Sequence, residues 1–512
     1  MKLGKEDLAI QAHFEHKKRG GDSAILMKSQ NLDWSKTGVP TTKSHDDRMG
    51  LAALHKGDLV DLRIDQIAFG GSGVARHDGL VVFVRGAIPG DSVTAQVIKK
   101  KKDYAEARIV SLVEPSSDRV FAPCPYSGHC GGCQWQHVRY RRQLEYKKGH
   151  VQDALSRIGN LSGALIHDPI SSDSIFGYRN KMEFSFASRL WPPAEGTDRR
   201  EGTLALGLHA PGTFYKVIDV EACLLIQDKG NEILQYVKKF ARESGLPAYD
   251  LKTHHGFWRF LTLRYSPSFK EWMVNIVTQE EKQPLMETWA QDLKKSFPEV
   301  KTLVNNVTAR KASIAIGDRE RVLLGDSTIT DLLGTYEFHI SANSFFQTNS
   351  SGAFKLYQKV LEYAELTGRE TVLDLYSGTG TIPVFLARSS KVVIGMEIVA
   401  SAVRDAEKNC RSNGIENCSF ILGDIRENLA SFKIKPDVLI IDPPRAGMHQ
   451  EVLARAMELC SERIVYISCN PTTLARDLGE MSREYEVTEI QPVDMFPHTY
   501  HIEVVAKLVR KK

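Results

Sequence analysis

The strongest constraint on the fold is an alternation of short β-branched runs with helical stretches between residues 371 and 468. The first run, residues 371–376, leads into a Ser-Gly-Thr-Gly turn and a short helical stretch. A second run, residues 391–397, is followed by a longer helical stretch. Strands that alternate with helices in this way form βαβ units and a parallel sheet. The pattern predicts an α/β domain that binds its ligand at the carboxyl ends of the strands.

Acidic residues end four successive predicted strands, at Asp374, Glu397, Asp424 and Asp442. The turn glycines let the backbone approach a ligand at a helix N-terminus, and Glu397 is placed to bind two ribose hydroxyls, which implies a nucleoside cofactor. Asp424 offers a polar strand end where an adenine amine could lie. A Gly-x-Gly turn does not separate NAD from S-adenosylmethionine (SAM), but the Asp-Pro-Pro loop that begins at Asp442 is common at the transfer site of SAM enzymes. Together these residues predict a Rossmann-like, SAM-dependent methyltransferase domain.

Cys469 follows the apolar run of residues 463–467 and lies in a polar Ser-Cys-Asn-Pro turn. A free cysteine usually packs as an inert small hydrophobic residue, but structural cysteines lie within apolar runs. The position of Cys469 places its thiol at the carboxyl end of a strand, where α/β sheets bind their ligands. We therefore predict that Cys469 is a nucleophile.

Five sequence motifs are spread over the last third of the chain. They are residues 345–349 (Phe-Phe-Gln-Thr-Asn), 374–380 (Asp-Leu-Tyr-Ser-Gly-Thr-Gly), 442–447 (Asp-Pro-Pro-Arg-Ala-Gly), 468–471 (Ser-Cys-Asn-Pro) and 496–503 (Phe-Pro-His-Thr-Tyr-His-Ile-Glu). In order and spacing they resemble the successive motifs of the RNA uracil-5-methyltransferase family, and the resemblance extends back to about Lys56. It implies SAM contacts for the residues that match Gln347, Tyr376, Glu397 and Asp442. Some members carry an asparagine where this chain has Thr381, so we assign no cofactor contact to that residue.

The same resemblance makes Cys469 the nucleophile and Glu503 the general base, and the chemistry explains why both are needed. Uracil C5 is a poor nucleophile, but thiolate addition at C6 turns the ring into an enolate whose C5 can take a methyl group. A base must then remove the C5 proton so that the thiol can leave. Glu503 precedes the apolar residues 504–506, where an idle buried carboxylate would be costly. We expect His498 and His501 to shape the pocket and not to react.

A second group of cysteines predicts a metal centre. Cys124, Cys130 and Cys133 come from one glycine-rich loop, and Cys223 could complete a set of four thiolates. By spacing alone, zinc and an iron-sulfur cluster both fit. The resemblance favours a [4Fe-4S] cluster held by all four, as in the ribosomal-RNA branch of the family. The remaining cysteines are interpreted as packing residues: Cys410, Cys418 and Cys460.

The chain is expected to divide into four parts. They are a polar, mostly disordered extension (1–53), a small β-barrel (54–115), a central α+β domain that contains the cysteine loop (116–335) and the methyltransferase domain (336–512). The barrel follows from period-two alternation of apolar residues between glycine turns, and it resembles a TRAM domain of the oligonucleotide-binding type. Its lysines at 99–102, with Arg108, give a basic edge that suits RNA, although a solvated hairpin end explains them equally well. In the central domain, which resembles the family's substrate-binding domain, residues 178–181 could meet phosphate or a flipped base, although Arg179 could equally form a structural ion pair.

Composition permits RNA binding without requiring it, since the formal net charge is +4 and the isoelectric point is near 8.4. No apolar run approaches the roughly 18 residues that span a bilayer, so no membrane partner is expected. Eight cysteines, and no apolar segment after the charged start of the chain, predict free thiols in a reducing cytoplasm. We expect a monomer.

Three classes of function account for some or all of these features. An amine methyltransferase acting on DNA or protein would use the Asp-Pro-Pro loop but would leave Cys469 and Glu503 idle. A non-catalytic RNA-binding protein would explain only the barrel. Uracil-5 methylation of RNA explains all of these features. The barrel and the cluster favour 23S ribosomal RNA as substrate over transfer RNA, because the transfer-RNA branch in bacteria typically lacks both, although some archaeal transfer-RNA enzymes carry a cluster.

Overall fold

The computed structural model describes residues 54–191, 201–312 and 314–512, with backbone only at 201–203. The extension predicted at residues 1–53 lies outside the described residues. By their internal contacts the described residues divide into two compact units, residues 54–68 with Ser72–Ser117, and Phe69–Gly71 with the described residues from Asp118 to Lys512. Among the helices of the described residues, none combines the length and the apolar character that crossing a membrane requires.

The first unit contains a six-stranded sheet in the order β1-β5-β6-β4-β3-β2. Its strands are β1 (Leu59–Arg63), β2 (Gln66–Ile67), β3 (Gly73–His77), β4 (Leu80–Arg85), β5 (Ser92–Lys100) and β6 (Tyr104–Glu114). The predicted alternation is present, because Val93, Ala95 and Val97 are buried while the residues between them are partly exposed. On the basic edge, Lys99 pairs with Glu106 at 2.8 Å, and the lysines that follow it are exposed.

The central part of the second unit is built on a seven-stranded sheet in the order β10-β9-β8-β11-β12-β13-β14. From Asp118 to Ser341 the strands are β7 (Leu165–Ile166), β8 (Lys181–Arg189), β9 (Glu201–His209), β10 (Val217–Asp219), β11 (Trp258–Ser266), β12 (Glu271–Thr278), β13 (Val300–Val307), β14 (Arg319–Leu324), β15 (Thr328–Leu333) and β16 (Tyr336–Ser341). The helices are α1 (Tyr140–Arg157), α2 (Asp228–Glu243) and α3 (Gln283–Ser296). Apolar residues of α2 and α3 join those of the sheet in one buried cluster. This mixture of strands and helices agrees with the expected α+β character.

The last part carries the predicted α/β architecture, an eight-stranded sheet in the order β19-β18-β17-β20-β21-β23-β22-β7. Its strands are β17 (Thr371–Leu375), β18 (Val392–Glu397), β19 (Cys418–Leu422), β20 (Val438–Ile441), β21 (Arg463–Ser468), β22 (Tyr485–Val493) and β23 (Glu503–Arg510). The helices are α4 (Ser350–Ala364), α5 (Thr381–Ala387), α6 (Ala400–Ser412), α7 (Ile425–Ser431), α8 (Gln450–Glu458) and α9 (Pro471–Met481). Strands β17 to β21 are parallel, and β23 runs antiparallel between β21 and β22. The Rossmann-like fold is therefore confirmed, with an antiparallel hairpin added at one side.

Helix α1 and the loop between β22 and β23 are joined by a buried ion pair. Lys147 Nζ lies 2.6 Å from Asp494 Oδ1, and both side chains are fully buried. Lys147 also donates to the Phe496 carbonyl at 3.0 Å, and the Tyr140 hydroxyl donates to Asp494 at 2.9 Å. Because a buried charge is tolerated only when it is paired and hydrogen-bonded, these contacts fix the loop against α1.

Candidate active site

The turn after β17 forms a backbone cradle. Tyr376, Gly378 and Gly380 all have positive φ, at 67°, 55° and 75°. A Cβ added at Gly380 would lie 2.8 Å from the Cβ of Ala406, so a side chain there would collide with α6. At Gly378 nothing lies within 4 Å of the added Cβ, which leaves open space beside the turn. The turn therefore presents bare backbone at the carboxyl edge of the sheet, as a nucleoside ligand requires.

Glu397, at the end of β18, is locked beside this turn. Its carboxylate accepts hydrogen bonds from the backbone N–H groups of Gly378, Ile398 and Val399, each at 2.9 Å. These bonds fix the side chain in one position and keep it half-buried at the strand end. The predicted ribose-binding carboxylate is thus held next to the predicted cofactor turn.

Asp424 follows the end of β19 and caps α7. Its carboxylate accepts from the Arg426 backbone N–H at 2.8 Å and forms an ion pair with the Arg426 guanidinium, also at 2.8 Å. Asp424 was expected to end a strand, but β19 ends earlier, at Leu422, because Asp424 acts as the N-cap of the next helix. Burial raises the pKa of Tyr376 to about 12, and repulsion from Asp477 and Asp424 adds to it.

The register of β21 and β23 brings Cys469 and Glu503 together. Ser468, the last residue of β21, pairs with Val504. Cys469, which follows β21, and Glu503, which begins β23, are therefore neighbours at the carboxyl edge of the sheet. Glu503 is 6% exposed. Although Cys469 retains some exposure, burial and repulsion from Glu503 raise the pKa of its thiol to about 12, and the Arg445 guanidinium lowers it. The resting thiol is therefore protonated at neutral pH.

Three carboxyl groups converge on the same edge. Burial, with repulsion from Asp442, raises the pKa of Glu503 to about 8, and burial raises that of Asp442 to about 7. Asp374 is fully buried, neither of its carboxylate oxygens has a hydrogen-bond partner, and burial raises its pKa well above the ordinary value. This excess of buried acid suits a positively charged ligand, because a cation would replace the missing counter-charge.

Gln347 lies on a loop that other parts of the second unit hold in place. Asn180 donates to the Gln347 carbonyl at 2.9 Å and to the Ser350 hydroxyl at 2.8 Å. Asn349 accepts from the Gly352 N–H at 3.0 Å, which caps α4, and donates to the Met495 carbonyl at 2.9 Å. Asn180, part of the segment predicted to meet RNA, is thus a structural link to the loop that carries Gln347.

The loop between β22 and β23 carries the two histidines of the last motif. Burial lowers the pKa of His498 to about 4 and that of His501 to about 3, so both rings are neutral at physiological pH. The ring of His498 stacks on Phe176 at 4.4 Å, and its backbone N–H donates to Gln143 at 2.8 Å. These contacts hold His498 in place, and the role of the two histidines in shaping the pocket stays a prediction.

The four predicted metal-binding cysteines line one cavity of about 400 Å³, which the structure brings together from the loop at residues 124–133 and from Cys223. Burial raises the pKa of Cys130 to about 11 and that of Cys133 to about 12, and repulsion among the four thiols adds to both. Within the described ranges, no group of three or more His, Cys, Asp or Glu side chains could hold a metal ion as it stands.

Sequence reasoning left three residues of this region without a role. Asp374 was named only as a strand end, although a buried carboxyl without partners marks a ligand site. Arg445 lies in a quoted motif, but its influence on Cys469 depends on the fold. Tyr357 is buried in α4, where burial, with repulsion from Asp442 and Glu503, raises its pKa, and nothing in the sequence singles it out.

Replacing Glu503 with glutamine should make stability less dependent on pH. A glutamate ionises near pH 4.3 in an unfolded chain, whereas the folded pKa of Glu503 is about 8. Between these values the folded state retains a proton that the unfolded state has lost, so wild-type stability falls as pH rises through about 8. The stability of Glu503→Gln relative to the wild type should therefore increase from pH 5 to pH 8.5, by on the order of a few kcal/mol.

Thermal melts of the two SAM-free proteins across this pH range test the prediction. Exposed Glu486 on β22 supplies the matched control, Glu486→Gln, and an advantage of Glu503→Gln that stays constant with pH would contradict the prediction.

Comparison with known proteins agrees with this geometry. The family described as tRNA (Uracil-5-)-methyltransferase matches residues 274–511, and the TRAM domain matches residues 54–110. An RNA methyltransferase of Chlorobaculum tepidum is 44% identical, and the match covers 88% of this chain and 96% of that protein. One of Halalkalibacterium halodurans is 39% identical, and the match covers 90% of this chain and 99% of that protein. The crystal structure of the Pyrococcus abyssi tRNA (uracil-54, C5)-methyltransferase, in complex with S-adenosyl-L-homocysteine, is 30% identical, covers 88% of this chain and 100% of that one, and has a TM-score of 0.70. The chain belongs to the RNA uracil-5-methyltransferase family, with an N-terminal TRAM domain, and is a SAM-dependent enzyme that acts on RNA.

Proposed function

We propose that this enzyme methylates C5 of a specific uridine in 23S ribosomal RNA through a covalent adduct between Cys469 and C6 of the base. The observation that carries the proposal is the pairing of β21 with β23, which makes Cys469 and Glu503 neighbours at the ligand-binding edge. An enzyme that methylates an amine has no need of a thiol and a second carboxyl at this point. The TRAM domain and the four-cysteine cavity support ribosomal RNA as the target.

Gln347, Tyr376, Glu397, Asp424 and Asp442 would hold SAM, which supplies the methyl group. The observations that fit this ligand are the bare turn after β17, the locked Glu397 and the unpartnered acid of Asp374. A bound cation at this edge favours the ionised forms of the nearby carboxyl groups, so it lowers the pKa of Glu503 toward neutrality. The free protein therefore keeps Glu503 protonated, and the occupied site prepares it to act as a base.

The reaction requires two proton transfers. The Cys469 thiol first loses its proton to solvent, its sulfur then adds to C6, and Arg445 favours the thiolate that is formed. After C5 has been alkylated, Glu503 takes the C5 proton, the ring regains its double bond and the thiol leaves. His501 is neutral, and we give it no role in these transfers.

The four cysteines are proposed to hold a [4Fe-4S] cluster. The donor set fits, because four thiols line a single cavity and thiolates are the ligands that hold iron-sulfur clusters. The cluster would act structurally, since methyl transfer to an enolate moves no single electrons. We further propose that the enzyme is a cytoplasmic monomer.

The same chemistry on transfer RNA is the second candidate. The observation that favours it is the similarity to the Pyrococcus abyssi enzyme, which acts on tRNA and matches this chain over 88% of its length. The RNA uracil-5 assignment holds for both candidates, and only the target molecule differs.

Deleting the gene should remove 5-methyluridine from one or more positions of 23S ribosomal RNA. Mass spectrometry of nuclease fragments from the purified ribosomal and transfer RNA pools reports both the nucleoside and its position. Restoration by the wild-type gene, but not by the Cys469→Ala gene, is the control. Loss of the nucleoside from transfer RNA alone would establish the second candidate.

Substitutions at Cys469 and Glu503 should fail in different ways. Cys469→Ala should bind SAM and RNA but form no product, because C5 is never activated. Glu503→Gln should form an adduct that cannot release the thiol, so protein and RNA should migrate together on a denaturing gel after one turnover, and only when SAM is present.

The matched control is Cys460→Ala, which removes a thiol at the opposite, amino end of β21 and should leave turnover unchanged. Wild-type turnover by Glu503→Gln, with no SAM-dependent adduct, would show that another group is the base.

Protein purified without oxygen should be brown and contain roughly four irons and four sulfides per chain. Cys223→Ala should lose most of this iron and colour, because it removes the one ligand from outside the loop, whereas Cys460→Ala should retain both. Stoichiometric zinc in a colourless protein, or full iron content in Cys223→Ala, would exclude the proposed cluster.

A further inference from the structure

The turn between β9 and β10 exposes an unusual group of aromatic side chains. Phe214 is 62% exposed and Tyr215 is 59% exposed, and their ring centroids lie 5.6 Å apart at an angle of 81°. The next residue, Lys216, places its Nζ atom 3.7 Å from the centroid of the Trp191 ring and 5.8 Å from that of Tyr215. We call Trp191, Phe214, Tyr215 and Lys216 the aromatic turn.

The rings are not needed to form the turn itself. Its ends are closed by the backbone bond from the Ala210 N–H to the Lys216 carbonyl at 2.9 Å, and Thr213 donates to the Ala210 carbonyl through its backbone N–H at 3.2 Å and its hydroxyl at 3.0 Å. Trp191 is attached by its own N–H, which donates to the Val217 carbonyl at 3.2 Å. Exposed aromatic residues that occur singly require no explanation, but adjacent rings with a lysine among them form an apolar and cationic patch typical of a binding surface.

The aromatic turn begins at the wall of the cysteine cavity. Residues 208–213 line that cavity, and the Gly131 N–H of the cysteine loop donates to the His209 carbonyl at 2.9 Å. The cavity is therefore fixed between the cysteine loop and the start of the turn.

Arg179 also lines this cavity and contacts the loop between β22 and β23. Its guanidinium carbon lies 5.9 Å from the centroid of the Phe496 ring, on the loop that leads to Glu503. The aromatic turn and the loop that leads to Glu503 are thus linked through the cysteine cavity and Arg179.

We propose that the aromatic turn is a stacking site for unpaired bases of the RNA substrate next to the target uridine. It rests on the assignment as an RNA uracil-5-methyltransferase and holds for either target RNA. A uridine can react at C5 and C6 only when it has left its stack, and the bases beside it then lose a stacking partner. Exposed rings with an adjacent lysine supply both the replacement partner and a charge for the phosphate. A protein partner would not need a cation held between two rings.

The test is binding of a short unstructured RNA that contains no modification site, because stacking tolerates sequence and the result then does not depend on which RNA is methylated. The affinity of the double variant Phe214→Ala/Tyr215→Ala should fall by about ten- to hundredfold. The salt dependence of its remaining binding should match that of the wild type, because rings carry no charge. Lys216→Gln should instead reduce the slope of log affinity against log salt by about one.

The chain offers a matched control in Phe269, which is 44% exposed on the turn between β11 and β12 and is also followed by a lysine. Phe269→Ala should leave RNA affinity unchanged. SAM affinity and melting temperature should be the same in all variants. The double variant Phe214→Tyr/Tyr215→Phe keeps both aromatic rings and should retain RNA binding. These controls distinguish the loss of a ring from misfolding of the turn. Wild-type RNA affinity in the double alanine variant, or an equal loss in Phe269→Ala, would overturn the proposal. If Glu503→Gln forms no SAM-dependent adduct but RNA binding still depends on the aromatic rings, only the catalytic scheme is rejected.

Discussion

The antiparallel pairing of β21 with β23 is the interaction on which the candidate active site depends. A purely parallel sheet would bring only strand ends to its carboxyl edge. Because β23 runs in the opposite direction, its first residue, Glu503, lies at that edge. A thiol and a carboxyl separated by 34 positions in the sequence (503 minus 469) thereby become neighbours without a long flexible loop between them. Rigid strands hold reacting groups more closely than loops do.

Burial gives the same edge its electrostatic character. Burial raises the pKa of Asp374, Asp442 and Glu503 above the ordinary value of a carboxyl group. In the free protein this arrangement costs stability, because acids that would ionise in water must stay protonated. A positively charged ligand removes the cost. The site is therefore prepared for a cation before one binds, and occupancy and proton affinity are coupled.

The structural supports come from outside the α/β sheet. Helix α1 contributes the buried Lys147 that pairs with Asp494, and the segment before β8 contributes Asn180, which binds the loop that carries Gln347. The central part therefore contributes to the active site by holding two of its loops. The same part carries the cysteine cavity and the aromatic turn, so the proposed stacking site and the supports of the candidate active site share one scaffold.

Local patterns in the sequence were sufficient for the α/β fold, the order of its strands along the chain, the glycine turn and the acids at strand ends, because these depend on periodicity and on backbone preferences that neighbouring residues set. Cys469 and Glu503 were recognised as a pair through chemistry and family resemblance. The folded chain alone determines their proximity, the raised pKa values of the acids, the effect of Arg445 on the pKa of Cys469 and the meeting of Cys223 with the cysteine loop. Strand register brings together residues that are distant in the sequence, and burial removes them from water. Only the tertiary structure decides register and burial.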